Sequence, residues 1–191
     1  MKKSILAFTT SLTLVFLFIQ PAVAQDQSGH NQESKNIERF EDVPEEFRAN
    51  LTQVIETYLN GKNAFLKSDL DASHSEFESF KNKLEEIGQH GLSGDGHTAW
   101  MESYNQLTEQ VSVLLNSDDI ESSRHAFRSL STELADAVKK FGVEGVVYHQ
   151  YCPMALDSDG ATWLSRNEQI QNPYTPDTML GCGEVIERMK S

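Results

Sequence analysis

The stretch Tyr148 to Ser165, YHQYCPMALDSDGATWLS, gathers His149, Cys152 and Met154 within six residues. A second sulfur pair, Met179 and Cys182, follows in MLGCGEV. Two thiols, two thioethers and an imidazole make a soft donor set, and soft sulfur ligands select Cu(I) over hard cations such as Ca²⁺ or Mg²⁺. Two cysteines and a histidine would also serve zinc, but methionine adds nothing to a zinc site. The alternative for the cysteines is a disulfide. In an exported protein that is the ordinary fate of a cysteine pair, and closing a loop of about 30 residues would stabilise by roughly 3–4 kcal/mol on the chain-entropy account. Met154 and Met179 would then be core packing, and His149 a hydrogen-bonded histidine.

Spacing constrains the geometry of either reading. In an extended segment alternate residues share a face, so Cys152 and Met154 lie together while Pro153 fixes the backbone between them. His149 then points to the other side unless the strand ends or bulges before Cys152. Met179 and Cys182, three apart, converge in a helical turn or tight loop.

Compartment decides what a cysteine pair can mean. Lys2 and Lys3, the apolar run Ile5 to Ile19 and the small-residue pattern AVAQ predict an export signal over residues 1–24, cleaved after Ala24. The run is about fifteen residues, short of the roughly 20 a spanning helix needs. Cleavage takes the chain from 191 to 167 residues and, with Lys2 and Lys3 gone, the net charge from -13 to -15. A chain so acidic opposes nucleic acid and anionic membrane and favours cationic partners or metal ions. The expectation is a periplasmic or otherwise exported soluble protein without stable membrane insertion.

Residues 25–42, polar and acidic, read as a flexible leader, and 43–191 as one domain. Within it, 43–141 carries four helical stripes. Phe47, Leu51, Val54, Ile55, Tyr58 and Leu59 form the first, entered through Pro44 and two glutamates. Phe77, Phe80, Leu84 and Ile87 form the second, stopped by Gly88; Trp100, Tyr104, Leu107, Val111 and Leu114 form the third. Ile120, Phe127, Leu130, Leu134 and Phe141 form the fourth, capped by Asp118 or Asp119 and closed by Gly142. Residues 142–191 are turn-rich: VEGVVYHQY reads as a strand, DSDG as a turn, ATWLS as a short segment, and GCGEVIERMK as a short helix or strand. The fold class expected is mainly α: a four-helix up-down bundle followed by a small turn-rich C-terminal part with one or two short strands. Phe47, Leu51, Phe80, Trp100, Leu107, Phe127 and Leu134 should be buried.

CPMA, then a glycine and WLS, then NPY and ML-x-CG, with the upstream stretch RHAFRSLSTEL, resemble a bacterial domain-of-unknown-function family, number 3347. Members are small exported proteins and domains attached to periplasmic adaptor subunits of heavy-metal efflux systems. The resemblance implies metal handling with such an adaptor as partner. It also implies motif roles for Cys152, Pro153, Met154, Trp163, Asn172, Pro173, Tyr174, Met179, Cys182 and Gly183. The chain departs from the family at NPYTPD, where an aromatic and a glycine more often follow NPY.

No other cluster carries chemistry. His90 and His97 flank a glycine-rich loop without a strand-to-helix phosphate-binding context, the acidic pairs sit at helix starts and polar faces, and nothing supports paired-carboxylate hydrolysis. The expectation is therefore not an enzyme. One reading is an exported metal-binding protein with Cu(I) held by Cys152, Met154, Met179 and Cys182, His149 optional. The other is a disulfide-stapled helical protein-interaction module without metal.

Overall fold

The structure, a computed structural model, describes residues 37–88 and 91–190. The expected export signal and the first part of the leader, 25–36, lie outside the described residues. Four long helices follow the four stripes: α1 Glu45–Phe65, α2 Leu70–Ile87, α3 Gly94–Leu115 and α4 Ile120–Phe141. Several boundaries have a local cause. Glu45 and Glu46 lie in the first turn of α1, where carboxylates complement the exposed N–H groups. Asp69 accepts from Ala72 N at 2.9 Å to start α2, and Asp119 accepts from Ser122 N at 2.8 Å to start α4. Gly142, at φ 73°, ends α4 in a conformation that costs other residues more.

In chain order each helix packs on the next, and α4 also touches α1, which makes the expected up-down bundle. All seven residues expected in the core are buried. Aromatic rings dominate it. Phe127 lies 5.0 Å from Phe65 and 5.1 Å from Tyr58, and Phe47 meets Trp100 edge-on at 4.9 Å. The close approach of α1 to α2 needs Gly61, where a Cβ would stand 2.5 Å from the Phe77 ring. Among the described residues, no helix is long and apolar enough to cross a membrane.

The C-terminal part holds three short strands where one or two were expected: β1 Val146–Cys152, β2 Ala161–Ser165 and β3 Glu184–Lys190. They form one antiparallel sheet in the order β2-β1-β3. A tight turn at Ala155–Ser158 and a helical turn at Pro176–Met179 punctuate the connections. The sheet is fastened to the bundle at several points. Tyr58 Oη, which pairs with Ser131 Oγ at 2.7 Å, accepts from Leu164 N at 3.1 Å, and Lys139 of α4 pairs with Glu187 of β3 at 2.9 Å. Before α1, Phe40 stacks on Phe141 and donates its N–H to Lys140 O at 2.9 Å, so residues of the expected leader run along the bundle.

Candidate functional site

Cys152 closes β1 and is fully buried. Cys182 stands just before β3, partly buried against the core. The two are joined by a disulfide, with Cα atoms 5.7 Å apart. Each cysteine has a methionine near it in the chain. Met154 follows Pro153, itself exposed, at the exit of β1 and is 51% exposed. Met179 ends a helical turn in which its N–H donates to Thr175 O at 2.8 Å, and Cys182 N–H donates back to Met179 O at 2.9 Å. The three-residue spacing thus produces the tight loop it suggests. Neither methionine belongs to the hydrophobic core, so the packing role weighed for them in the sequence is not where they sit.

Between Met154 and β2 the backbone turns through three consecutive left-handed residues, Leu156, Asp157 and Ser158, at φ 51°, 57° and 74°. Each costs roughly 1–2 kcal/mol relative to the right-handed region. Burial of Ala155 and Leu156 holds them there.

His149 is not brought to the cysteines. Along the unbroken β1–β2 pairing, His149 faces Leu164 while Cys152 faces Ala161, three residues on and across the sheet. The irregularity that exists lies between His149 and Gln150 in the pairing with β3, where Ile186 is the extra residue, so it does not turn β1 over. His149 is 7% exposed, and neither ring nitrogen has a hydrogen-bond partner among the described residues. Burial pushes its pKa down to about 4; the Lys139 ammonium pushes the same way and the Glu187 carboxylate opposes.

The remaining motif residues build the support for the disulfide. Trp163 is fully buried opposite Gln150. Gln150 Nε2 donates to the carbonyls of Asn167 and Glu168 at 2.9 and 3.2 Å, fixing the start of the segment that leads to Cys182. Asn172 Oδ1 accepts from Tyr174 N at 2.9 Å, and Tyr174 Oη donates to Thr162 O at 2.6 Å. Gly183, at φ 138°, passes so near β1 that a Cβ would stand 2.8 Å from Tyr151 O.

Sequence reasoning missed the anchor of this segment. Arg124 of α4 is 4% exposed. It donates from Nε to Pro173 O at 3.0 Å, from Nη2 to Phe65 O and Ser68 Oγ at 3.0 Å each, and from Nη1 to Glu121 Oε1 at 2.7 Å. One turn later Phe127 packs on Tyr174 at 5.6 Å. The R-x-x-F and NPY stretches, singled out separately in the sequence, are therefore two halves of one contact. The signal was present; its pairing was not.

Among the described residues, no group of three or more His, Cys, Asp or Glu is placed to hold a metal ion. With the disulfide formed, this favours a staple over a preformed metal centre. The sequence profile of the family described as protein of unknown function (DUF3347) matches residues 54–145. The resemblance is thus shown on the helical scaffold, and the match stops just before β1. No curated protein and no solved structure matches the chain.

Proposed function

We propose that this DUF3347-like chain is an exported soft-metal-handling protein whose C-terminal part takes Cu(I) only when the Cys152–Cys182 disulfide is reduced. In the oxidised form the same part is a closed, stapled module. The observation that carries the reading is the position of the methionines: Met154 stands two residues after Cys152 and Met179 three before Cys182 in the chain, and both lie outside the hydrophobic core. A thioether outside the core and close in sequence to a cysteine is a donor in waiting once that cysteine is reduced. Once two electrons have reduced the disulfide, two thiols and two thioethers offer the soft set that Cu(I) prefers. Cu(I) is here a cargo, and a periplasmic efflux adaptor subunit is the partner proposed to receive or supply it. His149 takes no part, since it lies on the other face of β1.

The test is a Cu(I) titration against a competing chelator, on oxidised and reduced protein and on the reduced Met154→Leu/Met179→Leu double variant. Leucine keeps volume and apolarity, at a cost under about 1.5 kcal/mol. Reduced protein should bind, oxidised protein bind far more weakly, and the double variant stay folded with lowered affinity. Equal uptake by both redox forms, or unchanged affinity in the double variant, overturns the reading.

A second reading rests on the disulfide itself. With Cys152 fully buried and bonded, the pair would be a permanent staple and the chain a helical protein-interaction module without metal. Here Met→Leu changes leave any metal uptake unaltered, while Cys152→Ser in the oxidised background costs roughly 2–5 kcal/mol.

A further inference from the structure

The two halves of the cysteine pair are held very differently. Cys152 is the last residue of the central strand, paired with Ala161 of β2 and fully buried. Upstream of the other cysteine, the segment up to Tyr174 is anchored through Arg124, Gln150 and the Tyr174 hydroxyl. Between Tyr174 and Cys182 that anchoring stops, to resume where Cys182 packs on the core and Gly183 on β1. None of residues 175–183 is buried, and Leu180 is 45% exposed. Among the described residues the backbone hydrogen bonds of this loop are local, Thr178 N and Met179 N to Thr175 O and Cys182 N to Met179 O, with one reaching it from Asn172 N to Leu180 O at 2.8 Å. At its base two buried polar atoms, Thr175 Oγ1 and Asn172 Nδ2, lack partners among the described residues. A segment with little buried surface and few outside hydrogen bonds opens at low free energy. The disulfide is what closes it.

We infer that residues 175–183 form a redox-released arm: reduction frees the loop carrying Met179 and Cys182, while Cys152 and the sheet stay in place. Exposure also selects the chemistry. A dithiol reductant attacks Sγ of the half-buried Cys182, because Cys152 is sealed. The Cys152–Cys182 bond breaks, Cys152 leaves as the thiolate and takes a proton, and a mixed disulfide joins Cys182 to the reductant. The second thiol of the reductant then attacks that bond, releasing Cys182 as a thiol and leaving the reductant as a disulfide two electrons poorer. The inference concerns the same cysteines as the metal reading but does not rest on it.

Hydrogen exchange followed by mass spectrometry on the full-length protein, with a metal chelator present throughout, tests this apart from copper. The comparison is between oxidised protein, protein reduced with dithiothreitol, and the Cys152→Ser/Cys182→Ser variant. Exchange across 175–183 should quicken by at least about tenfold in the reduced protein, with β1 and the four helices changing by less than about twofold. The double variant should match the reduced protein. Unchanged exchange in the loop on reduction, or acceleration spreading through β1 and the bundle, overturns the inference; because reduced wild type carries the decision, a misfolded variant does not blunt it.

Discussion

Replacing Arg124 by methionine removes a side chain that ties α4 at once to the end of α1, to the α1–α2 turn and to the NPY segment. Methionine preserves much of the aliphatic stem's packing, so the loss is mainly polar. Two buried backbone carbonyls, Phe65 O and Pro173 O, would lose charge-assisted hydrogen bonds of about 1.5–3 kcal/mol each. The ion pair to Glu121 adds little, because that carboxylate is 66% exposed. The expected cost is about 3–6 kcal/mol, a large share of the roughly 5–15 kcal/mol by which domains are stable. Urea denaturation of the oxidised protein followed by circular dichroism measures it directly, and the melting temperature should fall by roughly 6–24 °C. Arg124→Lys keeps the charge but not the fork of donors, and should fall between wild type and Arg124→Met. A loss under about 1 kcal/mol for Arg124→Met would refute the claim that this contact fastens the C-terminal part to the bundle.

Tyr58→Phe should cost about 1–3 kcal/mol in the same assay, because it strips the partner from the Leu164 N–H and from Ser131 inside the core; a change within about 0.5 kcal/mol would show those groups satisfied without it. His149 supplies a pH dependence. Its folded pKa, about 4, lies below the ordinary value of 6.5, so the unfolded chain binds the proton more tightly and stability falls as pH drops from about 6.5 towards 4, levelling off below. Carboxylates titrate over the same range, so the comparison is with His149→Leu: between pH 7.5 and 4.5 wild type should lose about 2–3 kcal/mol more than the variant, and parallel pH profiles would contradict a buried neutral imidazole.

The bundle was legible because its stripes are long and its stop signals stand where helices end: Gly88 and Gly142 after α2 and α4, Asp119 before α4. β3 was not. As an edge strand it buries Met189 alone, so Glu184 to Lys190 shows no alternation of apolar and polar residues, and the two preceding glycines spoke equally for a turn. The site was half legible. Spacing alone gave the Met179–Cys182 loop and the separation of His149 from Cys152 by strand alternation. It left the choice between disulfide and metal open, since the same sulfurs serve either. Arg124 escaped because a lone arginine in a helical stripe looks like a solvated face until the carbonyls of Phe65 and Pro173 are brought to it.

The disulfide also sets how far the chain can be unravelled from its far end. β3 lies at the edge of the sheet with β1 as its strand neighbour, is tied to α4 by the Lys139–Glu187 pair, and its last described residue is fastened by a hydrogen bond from Arg39 Nη1 to Lys190 O at 3.1 Å. Tension applied beyond Lys190 would break that contact and peel β3 from β1 one pair at a time, as a zipper opens. Peeling stops at Cys182, whose covalent bond to Cys152 passes the load directly into the central strand. The slack released before that stop is the stretch from 183 to 190, at most about 26–29 Å at full extension. In oxidising surroundings the helical body is thus shielded from a pull on this end, and in reducing surroundings the same pull reaches through the freed loop to Tyr174 and the contact with Arg124.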